Sequence, residues 1–236
     1  MNFHHMPGYA QMCRKAAGLI SEQIRGKPKS VLGLATGSTP IGIYKELAEA
    51  HNRRELDFSG VTTFNLDEYC GISENDPQSY RHYMNEHLFS KVNIDRARAH
   101  LPDAGAEDIE GECKRYEEKI AASGGIDLQL LGLGNNGHIG FNEPGAFFEK
   151  HTHCVELDER TILANARFFD DPQAVPRKAV TMGIGTIMSA RKILLVANGA
   201  GKKGILKEAL HGPITPKVPA SILQLHPDLT VVWSDT

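Results

Sequence analysis

Five short stretches of the chain are apolar at nearly every position: SVLGLA (30–35), VTTFNL (61–66), IDLQLLGL (126–133), KILLVAN (192–198) and LTVVW (229–233). Runs of this kind suit strands buried on both faces of a parallel sheet. Between them apolar residues recur at helical spacing. Tyr9, Met12, Cys13, Ala16, Ala17, Ile20 and Ile24 form one stripe, and Ile41, Tyr44, Leu47 and Ala48 a second. Cys113, Tyr116 and Ile120 form a third, and Ile205, Leu206, Ala209 and Leu210 a fourth. This alternation predicts an α/β fold with a doubly wound, mostly parallel sheet and right-handed crossovers. His4 and His5 fall where a first strand would begin. With no internal repeat and no linker-like tract, residues 1–236 read as a single domain. The least regular region, 142–160, is too long and polar for a plain connection and is a candidate lid.

Composition changes this picture little but narrows the partners. The 236 residues are 41% hydrophobic and 23% charged, with a formal net charge of -3. That balance supplies no overall field to attract nucleic acid or an anionic membrane. No run approaches the roughly 20 apolar residues of a membrane helix, and the N-terminus lacks a basic region followed by an apolar one. Cys13, Cys70, Cys113 and Cys154 are scattered without a CxxC pair, as expected of reduced thiols in a cytoplasmic protein. The partner expected is a small molecule.

In open α/β sheets, ligands bind beyond the carboxyl ends of the strands. The first apolar run ends in ATGSTP (35–40), where Gly37 admits a close ligand and Ser38 and Thr39 offer hydroxyls. A helix starting there would favour a phosphate, although Thr39 would equally serve as its cap. The second ends in NLDEYCG (65–71). Asp67 and Glu68 are adjacent, so on an extended backbone they point to opposite sides: one can face the cleft while the other makes a structural contact. On pattern alone this is also an ordinary polar strand end with a turn at Gly71.

The third run passes into GLGNNGHIGFNEPG (132–145), which places Asn136, His138 and Glu143 beside closely spaced glycines. An imidazole titrates near neutrality and can give and take protons at cellular pH. GLGNNG has dinucleotide-loop spacing, but the HIGFNEPG that follows breaks any immediate helix. Arg167 in NARFFDD and Lys202–Lys203 in NGAGKKG are cations able to neutralise a phosphate on the 36–39 turn. His151 and His153 lack an evenly spaced third ligand and read as lid residues, not as a metal site. Together these residues point to proton-transfer chemistry on a phosphorylated, oxygen-rich small molecule.

LATGSTP, FNLDEYCG, LGLGNNGHIGFNEPG, NARFFDD and ILQLHP, taken in this order, resemble the glucosamine-6-phosphate deaminase family from residue 31 to residue 227. The resemblance implies a Rossmann-like fold of the sugar-phosphate isomerase superfamily. It also implies conversion of glucosamine 6-phosphate and water to fructose 6-phosphate and ammonia, with no metal or organic cofactor. Carried over by motif, Asp67 is the base moving a proton from C2 to C1, with Glu68 as a supporting acid. His138 opens the pyranose ring, assisted by Glu143. The phosphate would lie on Thr36, Gly37, Ser38 and Thr39, with Arg167 and Lys202 as basic contacts; Lys202, not Lys203, is the lysine that aligns.

Two departures follow from the same resemblance. Some deaminases carry aspartate where this chain has Asn136, so Asn136 is expected to orient His138 and to leave Glu143 as the main anionic partner. Positions corresponding to an allosteric site hold Ala146, His153, Val155 and Glu156, and the chain stops soon after Trp233, which predicts no activation by N-acetylglucosamine 6-phosphate. Oligomeric state is left open. The competing expectations are a 6-phosphogluconolactonase-like hydrolase, which would give Asp67 and Glu143 no evident task, and a silent sugar-phosphate sensor.

Overall fold

A computed structural model describes residues 1–157 and 175–236. The five apolar runs become the centre of a seven-stranded parallel sheet. Its strands are β1 (Asn2–Met6), β2 (Val31–Leu34), β3 (Thr62–Asn65), β5 (Ala99–His100), β6 (Leu128–Gly132), β9 (Ile193–Asn198) and β10 (Leu229–Ser234). Their spatial order is β1-β10-β9-β6-β2-β3-β5, every neighbour parallel. Chain order reverses direction between β2 and β6, so the carboxyl ends of those two strands flank the crevice of a doubly wound sheet.

Helices α1 (Tyr9–Gly26), α2 (Ile41–Asn52), α4 (Ile109–Ala122) and α6 (Lys203–His211) carry the four stripes. Met12, Cys13, Ala16, Ala17, Ile20 and Ile24 of α1 are all buried, as are Cys113, Tyr116 and Ile120 of α4. Three stripe positions differ from expectation, Tyr9 being only half-buried. Ile41, the first residue of α2, is 37% exposed while Ile43 is fully buried, and Ile205 is only partly covered. Nor does Thr39 cap α2: Pro40 precedes the helix, and the free N–H of Gly42 in its first turn is taken by the Tyr9 hydroxyl of α1.

A second sheet was not visible in the apolar pattern. β4 (Asp67–Tyr69), β8 (Lys178–Thr181) and β7 (His153–Glu156) pair antiparallel in the order β4-β8-β7. The region read as an irregular lid is therefore partly strand, since residues 153–156 pair with β8. Ahead of β7, Thr152 donates from both its N–H and hydroxyl to Glu117 of α4, and Thr186 of the short helix α5 (Ile184–Met188) donates to the same carboxylate. Leu66 is the one residue between β3 and β4. Its N–H donates to Leu34 in the large sheet, and its carbonyl accepts from Met182, just past β8. The four cysteines are free, yet the fold brings Cys70 and Cys154 to a sulfur–sulfur distance of 4.0 Å.

Candidate active site

The turn after β2 carries Gly37 at φ +103, a backbone conformation natural for glycine and strained for other residues. Gly37 and Ser38 are exposed, and Thr36 and Thr39 half-buried, at the mouth of the crevice. Among the described residues, no group accepts from the N–H of Thr36, Ser38 or Thr39. Lys202 lies beyond β9, and its Nζ donates to the Leu133 carbonyl just past β6 at 2.8 Å. Burial lowers its pKa, which fits an amine held inside the cleft. Lys203 is exposed. Arg167 lies outside the described residues.

The adjacent acids divide as alternation along β4 requires. Glu68 accepts the N–H groups of Tyr69, Tyr80 and Arg81 at 2.9, 2.9 and 3.0 Å. Two of these belong to the first turn of α3 (Tyr80–Met84), where free N–H groups favour a carboxylate. Glu68 thus fixes α3 against β4. Asp67 has no such set of donors. It is buried, and burial, followed by the charge of Glu68, raises its pKa from 3.8 to about 8.

The loop after β6 folds back on itself. The Gly134 N–H donates to the His138 carbonyl and the Gly137 N–H to the Gly134 carbonyl. Gly134 makes room for an imidazole: a Cβ there would lie 2.3 Å from His138 Cδ2 and Nε2. Its part is to seat His138. His138 Nδ1 stands 3.2 Å from Glu143 Oε1, at ion-pair distance but out of line for a hydrogen bond. The Asn136 amide donates to Glu143 Oε2 at 2.6 Å, and its oxygen accepts the His138 backbone N–H at 3.2 Å. The asparagine side chain therefore reaches His138 through its backbone N–H and through Glu143, with no hydrogen bond to the imidazole among the described residues.

The two halves of the site meet at Gly140. A Cβ there would lie 3.5 Å from Asp67 Oδ2 and 2.9 Å from the Thr181 hydroxyl. The Thr181 hydroxyl itself accepts from the Phe141 N–H at 3.0 Å, which ties the histidine loop to β8. Sequence reasoning missed Thr181 because β8 carries no distinct apolar run. His151 and His153 stand at the entry to β7, and among the described residues no three His, Cys, Asp or Glu side chains gather as metal ligands.

A buried carboxyl and an imidazole–carboxylate pair thus share one end of a parallel sheet with an anion-ready turn. Residues 8–233 match the family described as glucosamine-6-phosphate isomerases/6-phosphogluconolactonase. The chain belongs to this family. Within it, a protein of Lachnoclostridium phytofermentans named glucosamine-6-phosphate deaminase is 59% identical over 95% of each chain. One of the same name from Halothermothrix orenii is 57% identical over 95% of this chain and 93% of its own. Among solved structures, a monomeric glucosamine-6-phosphate deaminase superposes with a TM-score of 0.96 at 45% identity, covering 99% of this chain and 97% of that one. The 6-phosphogluconolactonase of Thermotoga maritima shares the fold, with a TM-score of 0.74 at 22% identity over 99% and 98%. No helix among the described residues is long and apolar enough to cross a membrane.

For this family member the Asn136–Glu143 contact makes a specific prediction. Asn136→Asp replaces the donating amide with a carboxylate in contact with Glu143, and two carboxylates that close hold a shared proton to higher pH. The acid limb of the pH–rate profile is expected to steepen on its low-pH side, where a second required ionisation joins that of Asp67. A profile superimposable on the parent's would separate residue 136 from the titrating group.

Proposed function

We propose that the protein is a glucosamine-6-phosphate deaminase, a hydrolytic enzyme of amino-sugar breakdown that converts glucosamine 6-phosphate and water to fructose 6-phosphate and ammonia. The observation that carries this reading is buried Asp67 beside Gly140, in the same loop that holds the His138–Glu143 pair. The names of relatives above half identity over nearly the whole chain support the same substrate.

The phosphate sits on the 36–39 turn, with Lys202 and Arg167 supplying positive charge. A closed pyranose cannot isomerise, so His138 first carries a proton from the C1 hydroxyl to the ring oxygen, and the ring opens to the aldehyde. Glu143 faces the imidazole and stabilises its protonated form during that transfer. Asp67, as carboxylate, then removes the C2 proton while the C2 ammonium passes a proton to the C1 oxygen, giving an enolamine, and Asp67 returns its proton at C1. The product is an imine at C2. Water adds to C2 and ammonia leaves, giving the ketose. A positioned acid–base group contributes about 10²–10⁴-fold to such a step. The free carboxyl of Asp67 is mostly protonated at neutral pH, and the substrate's own ammonium at C2 favours its ionised form.

The test is release of ammonia from glucosamine 6-phosphate by the purified protein without added metal, with fructose 6-phosphate formed in equal amount. Hydrolysis of 6-phosphogluconolactone without ammonia release would assign the lactonase reaction instead. Binding of the sugar phosphate with no turnover would make the protein a sensor.

A further inference from the structure

We propose that Tyr9, Tyr44 and Tyr83 are positioning residues that hold the 35–39 turn in its anion-binding form by pinning the backbone carbonyls. The proposal rests on the reading of that turn as the phosphate seat and assigns to side chains outside the seat the work of shaping it. Tyr44 donates to the Ala35 carbonyl at 2.5 Å and Tyr83 to the Gly37 carbonyl at 2.6 Å. Tyr9 donates to the Thr39 carbonyl at 3.0 Å, with the Ser38 carbonyl at 3.2 Å, and accepts the Gly42 N–H at 2.9 Å. Four carbonyls of one five-residue turn are thus bound to phenol hydroxyls from three separate helices.

Peptide planarity turns this into a statement about the anion. In a trans peptide the C=O of one residue and the N–H of the next point in opposite directions. Pinning the carbonyls of Ala35, Gly37 and Ser38 therefore aims the N–H groups of Thr36, Ser38 and Thr39 away from the tyrosines, and those are the N–H groups without an acceptor among the described residues. The same pinning keeps carbonyl oxygens, which would repel an anion, from swinging into the seat. The phenols belong together: the Tyr44 and Tyr83 rings meet edge to face at 6.4 Å between centroids. Tyr83 is in turn placed by α3, whose start is held by Glu68. The acid beside the proposed base is thereby connected to the phosphate turn through one short helix. Tyr44 is wholly buried, so its hydroxyl has no role in water to explain its presence.

Tyr9→Phe and Tyr83→Phe, singly and combined, remove hydroxyls and leave the rings. Losing one such hydrogen bond corresponds to roughly fivefold to tenfold in an equilibrium constant. Each single variant is expected to raise the dissociation constant of inorganic phosphate, measured by calorimetry, by about that factor. The KM for glucosamine 6-phosphate should rise in parallel, with kcat within roughly threefold of the parent and an unchanged pH profile. Parental phosphate affinity in both single variants, with only a lowered melting temperature, would overturn the proposal. Amide NMR on the unmodified protein tests it independently: added inorganic phosphate should shift the Ser38 and Thr39 amides strongly. Ammonia release with no response of those amides would refute the tyrosine assignment while leaving the deaminase reading intact. Phosphate binding on those amides without ammonia release would do the reverse.

Discussion

Asp67→Asn is expected to lower ammonia release from glucosamine 6-phosphate by about 10²–10⁴-fold, the usual contribution of a positioned general base. Asparagine keeps the shape of the side chain and removes its ability to accept the C2 proton. In the parent enzyme, kcat/KM should climb with pH and level off near the Asp67 value of about 8, because only the carboxylate form abstracts a proton. The same residue has a stability signature of fixed sign. Its folded pKa lies above the unfolded value of about 3.9, so between those values the folded chain holds a proton that the unfolded chain has released. Its favourable contribution is complete below the lower value and is lost as pH rises toward the higher one. Asp67→Asn should therefore raise the melting temperature, by an amount that grows from pH 5 to pH 9. An inactive variant with no pH-dependent stabilisation would refute the burial account. A fully active variant would remove Asp67 from the chemistry.

Gly134→Ala is the second substitution with a large expected effect. Its methyl group would occupy the space of the His138 ring. An imidazole is the free end of a side chain, so the ring should turn aside before the backbone moves. The expected result is near-parental melting and phosphate affinity, with a loss in kcat of about 10²-fold or more, the lower range for a displaced acid–base group. Steady-state kinetics beside a thermal melt decide the matter. Parental kcat would show that the seat of His138 is irrelevant to turnover, and a collapsed melting temperature that Gly134 serves the loop and not the ring.

The large sheet was legible because its inner strands are apolar on both faces, and continuous runs such as ILLVAN admit few other readings. The small sheet was not. β4 is the polar tripeptide DEY, and β7 exposes alternate residues, so neither carries the apolar run that marks a buried strand. Part of a strand therefore looked like an irregular lid. At the site, the opposed directions of Asp67 and Glu68 follow from strand geometry alone, whereas the partners of Glu68 depend on where α3 docks. The contact of Asn136 with Glu143 instead of the imidazole is decided by how a tight loop closes, and spacing carries no record of that. The tyrosines were hidden for a similar reason. Tyr9 and Tyr44 read as members of apolar stripes, and only the packed helices reveal which carbonyls their hydroxyls reach.

The single-residue passage through Leu66 has a mechanical consequence. The chain leaves one sheet and joins the other across one residue, and Asp67 is the next. If the small sheet rocks against the large one to admit or enclose a sugar, the joint is the fulcrum, and displacement grows with distance from it. Asp67, beside the axis, would keep its place through the stroke, so the proton acceptor needs no resetting between one turnover and the next.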